Sequence, residues 1–408
     1  MRDCAGVVAG HITLPDNQVE QTQMTLELSI SILTTGICLF CGHLLLLRRQ
    51  DTGVYLPLAL LFLFQGASSG VGAVAEAYDP GTLGILFRLS LLVGGLEITL
   101  PFLLWAYVRA LTTEGPLERI PKLQYHLIPI VFVLVCFWSL FFLPEGFAET
   151  ELANDDPQLL RAVLVALAVL LGDVVFMAMI ATYMYLIVRR LLAYRRRLRD
   201  VFASTENREL TWIWAILIST GLYLCVSVGL TVTILSGLLA EDSFDSWLPI
   251  LHSLALLCLF WTIGIWGLRQ RPGLTRQPLV APLEPDDPKP SKYEKSALDH
   301  DRLERIARKI EAAMVEDVLY RDPNLSLWDL AKHIGVTSHY VSQALNTNLN
   351  KSFFDLVNGW RIKDAITQLN TTDQTILAIA YDVGFNSRSA FYKAFKRETG
   401  TTPSDLRK

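Results

Sequence analysis

The sequence predicts an all-α protein: a polytopic bundle of seven transmembrane helices, followed by a small domain with two helix-turn-helix units. Three observations lead to this fold class. The chain has 408 residues, of which 51% are hydrophobic and only 19% are charged, which is unusual for a soluble protein. Seven apolar runs are long enough to cross a bilayer. After a proline-rich stretch, the chain changes to short amphipathic helices separated by glycine-containing turns, so we expect two or three domains.

The seven apolar runs account for residues 26–268. A helix needs about 20 residues to cross the hydrocarbon core, and every backbone donor and acceptor must be satisfied within the span. The spans are expected at 26–47, 54–76, 83–108, 126–143, 159–188, 211–240 and 247–268. Residues 1–25 do not have the pattern of a cleavable signal peptide, and we interpret them as an extracytoplasmic N-terminal segment.

The loops between the runs alternate in charge, which predicts their orientation. The loop after the fifth run, RRLLAYRRRLRDVFASTENR, holds seven arginines, and the segments after the first, third and seventh runs are also basic. The alternate loops, YDPGT, PEGFAETELANDDPQ and AEDSFDS, contain neither Lys nor Arg. Because basic loops stay in the cytoplasm, we expect the N-terminus outside and the C-terminal domain inside. The arginine-rich loop is interpreted as a topology signal that also contacts anionic lipid, with direct contact to DNA as the alternative.

Charged side chains are costly inside a membrane span, and five of those in or near the apolar runs are candidate functional residues. They are Glu76, Arg88, Glu97, Arg161 and Asp173. Arg88 and Glu97 are nine residues apart, which places them on opposite sides of a helix, so each needs a partner on another helix. Two interpretations remain open: an ion pair between spans, or a polar cluster in a cavity that binds a signal molecule and opens toward the outer half.

Two short motifs in the apolar runs have a chemical interpretation beside a structural one. Residues 66–70 fit the G-x-S-x-G pattern of serine hydrolases, with Ser68 as nucleophile and His252 as base, but that motif requires a strand-to-helix turn. Small residues within a span usually indicate close helix packing. The Cys38-x-x-Cys41 spacing suits a metal or redox site, although cysteine is also common in buried helices. We expect packing in both cases, and no catalytic residue, metal or cofactor.

A proline-rich stretch separates the apolar part from the C-terminal residues. Residues 271–290 contain six prolines, which prevents a regular helix and favours an extended spacer with a rise of about 3 Å per residue. We interpret 269–298 as a cytoplasmic linker and 299–408 as a separate domain. The first helix of this domain, expected over 299–320, has one apolar face that either packs onto the domain or forms a dimer seam.

The C-terminal domain contains a first helix-turn-helix pattern. Ser326 and Asp329 form a capping box that opens a helix, Gly335 permits a turn, and a second helix starts at Ser338. A longer helix is expected to follow over residues 353–369.

The pattern then recurs, which predicts a second unit. Thr375 caps a helix, Gly384 turns the chain, and Asn386 or Ser387 opens the last long helix. The turn glycines Gly335 and Gly384 are 49 residues apart. The domain is therefore expected to hold two helix-turn-helix units joined by one helix.

Both units carry a characteristic set of apolar, glycine and basic residues. The second unit has Ile379-Ala380, Gly384-Phe385, Phe391, Phe395-Lys396, Gly400 and Thr402-Pro403, and the first has Leu330-Ala331, Gly335-Val336, Leu345 and the Arg361-x-x-x-Ala365 of the connecting helix. With these residues, 299–408 resembles the DNA-binding domain of the AraC/XylS family of bacterial transcription regulators. The resemblance covers a quarter of the chain and implies sequence-specific binding to double-stranded DNA.

The resemblance implies that the starts of two recognition helices contact the bases. The expected base-reading residues are His339, Ser342 and Gln343 in the first unit and Arg388, Ser389, Tyr392 and Lys393 in the second, while Lys396 and Arg397 are expected to bind phosphate. Local packing is the alternative for His339 and Tyr392. Residues 386–408 hold six Lys and Arg against two acids, whereas residues 299–408 hold fifteen against fourteen. Positive charge is concentrated at the end that would meet phosphates.

These features predict a one-component transcription regulator in the bacterial inner (cytoplasmic) membrane that senses a signal through its spans. The expected partners are promoter DNA, membrane lipid and a small or amphipathic signal molecule, with a second copy of the chain (a homodimer) and RNA polymerase as further partners. Two alternatives belong to other classes. One is a transporter or intramembrane serine hydrolase with a fused DNA-binding domain, and the other is a constitutive regulator that is only anchored in the membrane.

Overall fold

The regular elements of the described chain are all α, 3₁₀ or π helices, apart from one isolated β-bridge. The computed structural model describes residues 16–48, 52–77, 83–113, 120, 122–142, 157–205, 209–237, 247–270 and 294–407. The proline-rich part of the linker, most of residues 1–25 and the three acidic loops lie outside these residues. The contacts divide the chain into two units, Met1–Val188 with Thr211–Pro272, and Arg189–Leu210 with Gly273–Lys408.

The first unit is built from the apolar helices. They are α1 (Asp16–Leu46), α2 (Thr52–Ala77), α3 (Leu83–Gly94), α4 (Leu100–Leu111), α5 (Gln124–Trp138), α6 (Pro157–Val201), α7 (Ile213–Gly237) and α8 (Leu248–Arg269). Helix α1 packs against α2 and α8, α7 packs against α8, and α2 also contacts α3 and α4. Within the described residues, seven helical stretches are long and apolar enough to cross a membrane, and they coincide with the seven runs expected from the sequence.

The third run differs from the continuous helix expected over 83–108. A 3₁₀ segment, Gly95–Thr99, separates α3 from α4. Pro101 lies at the start of α4 and has no amide hydrogen to donate to the preceding turn, which favours a break at this point. The break places Glu97 in a 3₁₀ turn in the middle of an apolar run.

The G-x-S-x-G motif lies within α2 and packs that helix against α1. A Cβ atom built on Gly66 would lie 3.1 Å from a methyl group of Leu39, and one on Gly70 would lie 3.2 Å from a methyl group of Thr35. The two glycines therefore allow close approach of the helices, as the packing interpretation predicted. The strand-to-helix turn that a hydrolase nucleophile requires is absent at Ser68, which is helical.

Helix α6 is much longer than a membrane span. Its 45 residues extend about 67 Å, whereas a hydrocarbon core is about 30 Å thick. Residues 189–210 lie within the expected range of the seven-helix domain, 26–268, and in the structure their contacts group them with the second unit. The reason is that apolar residues near the end of α6, Phe202 and Ala203 among them, are buried there.

The second unit contains seven helices of its own within the described residues. They are α9 (Glu294–Val315), α10 (Leu327–His333), α11 (Ser338–Ala344), α12 (Phe353–Thr371), α13 (Ile376–Asp382), α14 (Arg388–Thr399) and α15 (Pro403–Leu406). Helix α9 ends before the predicted residue 320, because Val318 has a φ of 53° and a 3₁₀ turn, Leu319–Arg321, follows.

Two separate cores correspond to the two helix-turn-helix units. The first contains the apolar face of α9, including Ile310 and Met314, together with residues of α10 and α11. The apolar stripe on α9 therefore packs onto the domain, as the first of the two interpretations predicted. The second core contains Phe385, Phe391 and Phe395. Helix α12 contributes residues to both cores and joins the units.

Candidate nucleic-acid interface and candidate signal cavity

The first helix-turn-helix unit has the capping and turn geometry that its sequence predicted. The Ser326 hydroxyl accepts a bond of 3.2 Å from the Asp329 amide, and the Asp329 carboxylate accepts one of 3.0 Å from the Ser326 amide. This reciprocal pair is a capping box and fixes the start of α10. Gly335 follows with a φ of 72°, a conformation that glycine adopts without strain. Helix α11 then begins at Ser338 and ends in a π-helical turn, Leu345–Leu349.

The second unit repeats this arrangement. Thr375 accepts a bond of 3.1 Å from the Ala378 amide at the start of α13, and Gly384 turns the chain with a φ of 97°. The sequence left Asn386 and Ser387 open as the residue that begins the last helix. Ser387 is the cap, since its hydroxyl accepts from the Ala390 amide.

Helix α11 separates its residues into an inner and an outer face. Val341 and Ala344 are fully buried in the first core. Of the predicted base-reading residues, His339 and Gln343 are exposed and Ser342 is half-buried. These three residues share one face of the helix, because Ser342 and Gln343 lie three and four positions after His339.

Helix α14 shows the same separation. Phe391, Ala394 and Phe395 are buried in the second core. Of the predicted DNA-binding residues on this helix, Tyr392 is half-buried. The others are exposed: Arg388, Ser389, Lys393, Lys396 and Arg397. The surface of α14 therefore carries the polar and basic groups needed for base and phosphate contacts.

Tyr392 combines packing with exposure. Its ring makes an edge contact with Phe391 at 5.9 Å, and its hydroxyl lies 3.5 Å from that of Ser404. The Arg388 guanidinium lies 5.1 Å from the centre of the Tyr392 ring. The bond with Ser404 and the nearby Arg388 lower the pKa of Tyr392. The Tyr392 ring thus packs against the domain, as in the packing alternative. Arg388 and Tyr392 form one cluster at the start of α14.

Arg397 differs from Lys396 in having partners within the domain. Its guanidinium lies 3.2 Å from the Asp355 carboxylate and 3.0 Å from that of Glu398. It also lies 5.5 Å from the centre of the Phe354 ring. Arg397 therefore connects α14 to the start of α12, a role that the sequence did not indicate because no motif pairs these positions.

Arg361, at the centre of α12, holds the two helix-turn-helix units together. Its side chain is completely buried and donates bonds of 2.7 Å to the carbonyl oxygens of Tyr320 and Asp322. The guanidinium also lies 5.4 Å from the centre of the Phe385 ring in the second unit. Burial lowers the pKa of Arg361 to about 10. The Arg361-x-x-x-Ala365 motif was the available sequence signal, but it did not disclose this contact.

The turn of the second unit rests on the same segment, residues 320–323. A Cβ atom on Gly384 would lie 2.6 Å from the carbonyl oxygen of Arg321, and the Asn386 amide donates a bond of 3.0 Å to the carbonyl oxygen of Pro323. Segment 320–323 is thus held by α12 on one side and by the second turn on the other. These contacts fix the position of the second helix-turn-helix unit relative to the first helix-turn-helix unit.

The unit built from the apolar helices contains a cavity of about 850 Å³ beside the 3₁₀ break in the third run. Its lining is mainly apolar and includes two carboxylates, Glu97 and Asp173. Glu97 and Phe176 also line a smaller neighbouring cavity of about 100 Å³. The larger volume is in the range of small-molecule sites.

The carboxylates in the cavity have polar partners. Glu97 accepts a bond of 2.9 Å from the Gln65 amide and another from the Ser68 hydroxyl. Asp173 accepts a bond of 3.0 Å from the Thr231 hydroxyl.

Of the three other candidate charged residues, the structure describes the side chain of Arg161 only. Arg161 is exposed and lines a separate surface depression. The side chains of Glu76 and Arg88 lie outside the described part of the structure. Among the described residues, no group of three His, Cys, Asp or Glu side chains is arranged to hold a metal ion.

Comparison with known proteins locates the resemblance in the second unit. Residues 330–408 match a family described as "Helix-turn-helix domain". An uncharacterized HTH-type transcriptional regulator of Staphylococcus aureus strain COL is 32% identical over 112 residues, which cover 28% of this chain and 14% of that protein. A protein of Streptomyces lividans described as an AraC-like transcription regulator is 36% identical over 93 residues, covering 22% of this chain and 30% of the relative.

Among solved structures, the C-terminal domain of AraT, a response regulator from Geobacillus stearothermophilus, is 27% identical, with a TM-score of 0.23. That match covers 26% of this chain and 82% of the AraT domain. The chain spans less than a third of the length of the curated relatives named above. The matches with these relatives support DNA-binding regulation, and residues 330–408 form a helix-turn-helix domain similar to those of AraC-like transcription regulators.

Proposed function

We propose that this protein is a membrane-bound one-component transcription regulator. In this proposal, the seven apolar helices span the inner membrane of a bacterium and sense a signal, while the second unit binds promoter DNA in the cytoplasm. The observation that carries the proposal is the exposed polar face on each of the two recognition helices, α11 and α14, above a fully buried apolar face. Two such faces joined by one helix suit two segments of the major groove, about 34 Å apart on one side of the duplex.

Base reading is tested by comparing two basic residues of α14 in the full-length protein reconstituted into lipid nanodiscs. A duplex is first selected from a random pool by the wild-type protein. Arg388→Ala should then lose about 1–3 kcal/mol, mainly at one base position, because an arginine can bond two acceptors of guanine. Lys396→Ala should weaken binding to all sequences and reduce the dependence of affinity on salt, because it removes only a phosphate contact.

Equal, sequence-independent losses for the two variants would show that Arg388 does not read bases. A footprint confined to a single groove segment would contradict simultaneous use of both units. Arg397→Ala provides a third comparison, because its bonds to Asp355 and Glu398 predict that it also affects the position of α14.

Membrane topology is the second part of the proposal. The alternating charge of the loops supports an N-terminus outside and a cytoplasmic second unit. A reporter enzyme that is active only in the cytoplasm should be active when it is fused after Arg276, and a reporter that requires export should be inactive there. Activity of an exported reporter at that position would contradict the orientation and, with it, access to DNA.

Sensing is the third part, and the cavity beside Glu97 supports it. A mainly apolar lining with two carboxylates suits an amphipathic molecule whose polar end donates hydrogen bonds or carries positive charge. The 3₁₀ turn that contains Glu97 also lines this cavity, and a local change from α to 3₁₀ geometry is tolerated within a membrane span. Mass spectrometry of molecules that co-purify with the protein in nanodiscs, with Glu97→Gln as the comparison, tests this part. Identical sets of bound molecules in both proteins would argue against the cavity as the site.

A further inference from the structure

The end of α6 joins the second unit through backbone contacts. Phe202 forms an isolated antiparallel bridge with Ser326, the residue that caps α10. The Ala203 amide donates a bond of 3.1 Å to the carbonyl oxygen of Leu325. The carbonyl oxygen of Ala203 in turn accepts a bond of 3.1 Å from the Asn358 side chain on α12. Both backbone groups of Ala203 are therefore bound to the helix-turn-helix domain.

Side chains from this segment fill positions in the domain. Ala203 is a member of the first core and is 1% exposed. The Phe202 ring is buried and meets the Trp328 ring edge-on, with centroids 5.6 Å apart. A chain segment that merely passed the surface would not bury these groups or pair its backbone.

The end of α6 also lies close to α14, the recognition helix of the second helix-turn-helix unit. The Arg199 guanidinium lies 5.7 Å from the centre of the Phe354 ring, and the Arg397 guanidinium of α14 lies 5.5 Å from the same ring. The next residue, Asp355, pairs with Arg397 and lies within electrostatic range of Asp200. The start of α12 is thus shared between the end of α6 and the DNA-facing helix.

We propose that residues 199–205 are an intramolecular docking segment through which the state of the membrane helices controls DNA binding. The regulatory part of this proposal rests on the proposed function, whereas the docking itself does not. Residues 199–201 of the segment are the end of α6, and α6 also lines the cavity at Asp173, so the segment is continuous with the helix that carries a candidate sensing residue. The recognition faces on α11 and α14 stay exposed while it is docked, and the docked form is the form competent to bind DNA.

The docked contact is formed by a short segment. It consists of a few residues and includes the like-charged pair Asp200 and Asp355, whose repulsion opposes docking. Undocking would expose Ala203 and Phe202, withdraw Arg199 from Phe354, and leave the start of α12 without its cover. A change in α6 can therefore shift an equilibrium between docked and undocked forms, which is what coupling between two sites requires.

The test uses the full-length protein in nanodiscs with two matched substitutions. Ala203→Asp places a charge in the first core and should undock the segment. Ser204→Asp adds the same charge at the neighbouring, half-buried residue and is the control. Hydrogen exchange of residues 199–205 and 352–358 reports docking, and affinity for the duplex selected by the wild-type protein reports coupling.

We expect faster exchange in both segments for Ala203→Asp, wild-type exchange for Ser204→Asp, and DNA affinity reduced about 5- to 150-fold only in the first variant. The Phe385 amide, bonded to the Ala380 carbonyl oxygen, should remain protected in both if the domain stays folded. If it does not, Phe202→Ala replaces Ala203→Asp, because it removes the contact with Trp328 without burying a charge.

Unchanged exchange at 352–358 in the undocking variant would overturn the docking proposal. Increased exchange with wild-type DNA affinity would overturn the coupling. If the wild-type protein selects no duplex at all, the proposed function fails, while the exchange measurement still decides whether the segment docks.

Discussion

Replacing Gly384 with alanine should separate backbone strain from steric overlap in the second helix-turn-helix unit. Gly384 has a φ of 97°, and an added Cβ would lie 2.6 Å from the carbonyl oxygen of Arg321 and 2.8 Å from that of Tyr320. A positive φ costs an alanine about 1–2 kcal/mol. Overpacking against backbone that is itself held by Arg361 adds about 1–3 kcal/mol, for a total of about 2–5 kcal/mol.

Gly400→Ala is the matched control, because Gly400 has a φ of 76° but no atom lies within 4 Å of the added Cβ. It should cost only the backbone term, about 1–2 kcal/mol. The assay is hydrogen exchange of the Phe385 amide, which is bonded to the Ala380 carbonyl oxygen. Its rate should rise about 5- to 150-fold more in Gly384→Ala than in the control, since 1.4 kcal/mol corresponds to a factor of ten. Equal increases would refute the role assigned to the contact with segment 320–323.

Four further predictions concern other parts of the chain. Arg361→Ala removes the donor of the Tyr320 carbonyl oxygen and one of two donors of the Asp322 carbonyl oxygen, which keeps its bond of 3.3 Å from the Leu325 amide. It should lower the free energy of unfolding of the DNA-binding domain by about 1.5–4.5 kcal/mol in urea titration, whereas a loss below about 1 kcal/mol would contradict the role of Arg361 in joining the two helix-turn-helix units. A serine-directed fluorophosphonate probe should not label the protein, because Ser68 lies in a regular helix, and labelling that disappears in Ser68→Ala would favour the hydrolase alternative. Glu97→Gln and Asp173→Asn should alter reporter output in cells but leave the DNA-binding unit's intrinsic sequence preference unchanged, and an altered preference would place these residues in the fold of that unit. Flexible insertions near residue 281 should preserve the response, because effective concentration falls only slowly with linker length, and loss of response with normal DNA binding would assign transmission to the linker.

Local features of the DNA-binding domain could be predicted from sequence because each depends on neighbouring residues. The Ser326–Asp329 capping box and the cap at Thr375 were predicted from short-range patterns and are confirmed. The turns at Gly335 and Gly384 are confirmed for the same reason, as both have positive φ. The apolar runs also match the observed helices, since length and composition decide whether a helix can cross lipid.

Contacts between distant residues could not be predicted in this way. The bonds from Arg361 to the carbonyl oxygens near residue 321, and the pair formed by Arg397 and Asp355, depend on how the helices pack. The break at Glu97 was missed because the run remains apolar throughout, and a 3₁₀ turn does not change its hydropathy. The contacts at the end of α6 could not be predicted for a related reason: the arginines there suggested lipid, and the Phe202-Ala203 sequence that packs in the domain is too short to give a pattern.

Because Ala203 belongs to the core of a domain that otherwise follows the linker, the DNA-binding unit is assembled from two parts of the gene. The ribosome makes Ala203 more than a hundred residues before its partner Leu325, with the two apolar helices α7 and α8 and the linker in between. Residues 199–205 are therefore synthesised first, and their contacts with the domain form only when the rest of it has been made and folds onto them. A fragment cut at the linker would carry an open groove between Trp328 and Asn358 in place of this segment. Fusing residues 199–205 to its N-terminus, or supplying them as a peptide, is the natural way to restore a complete domain for crystallisation or NMR.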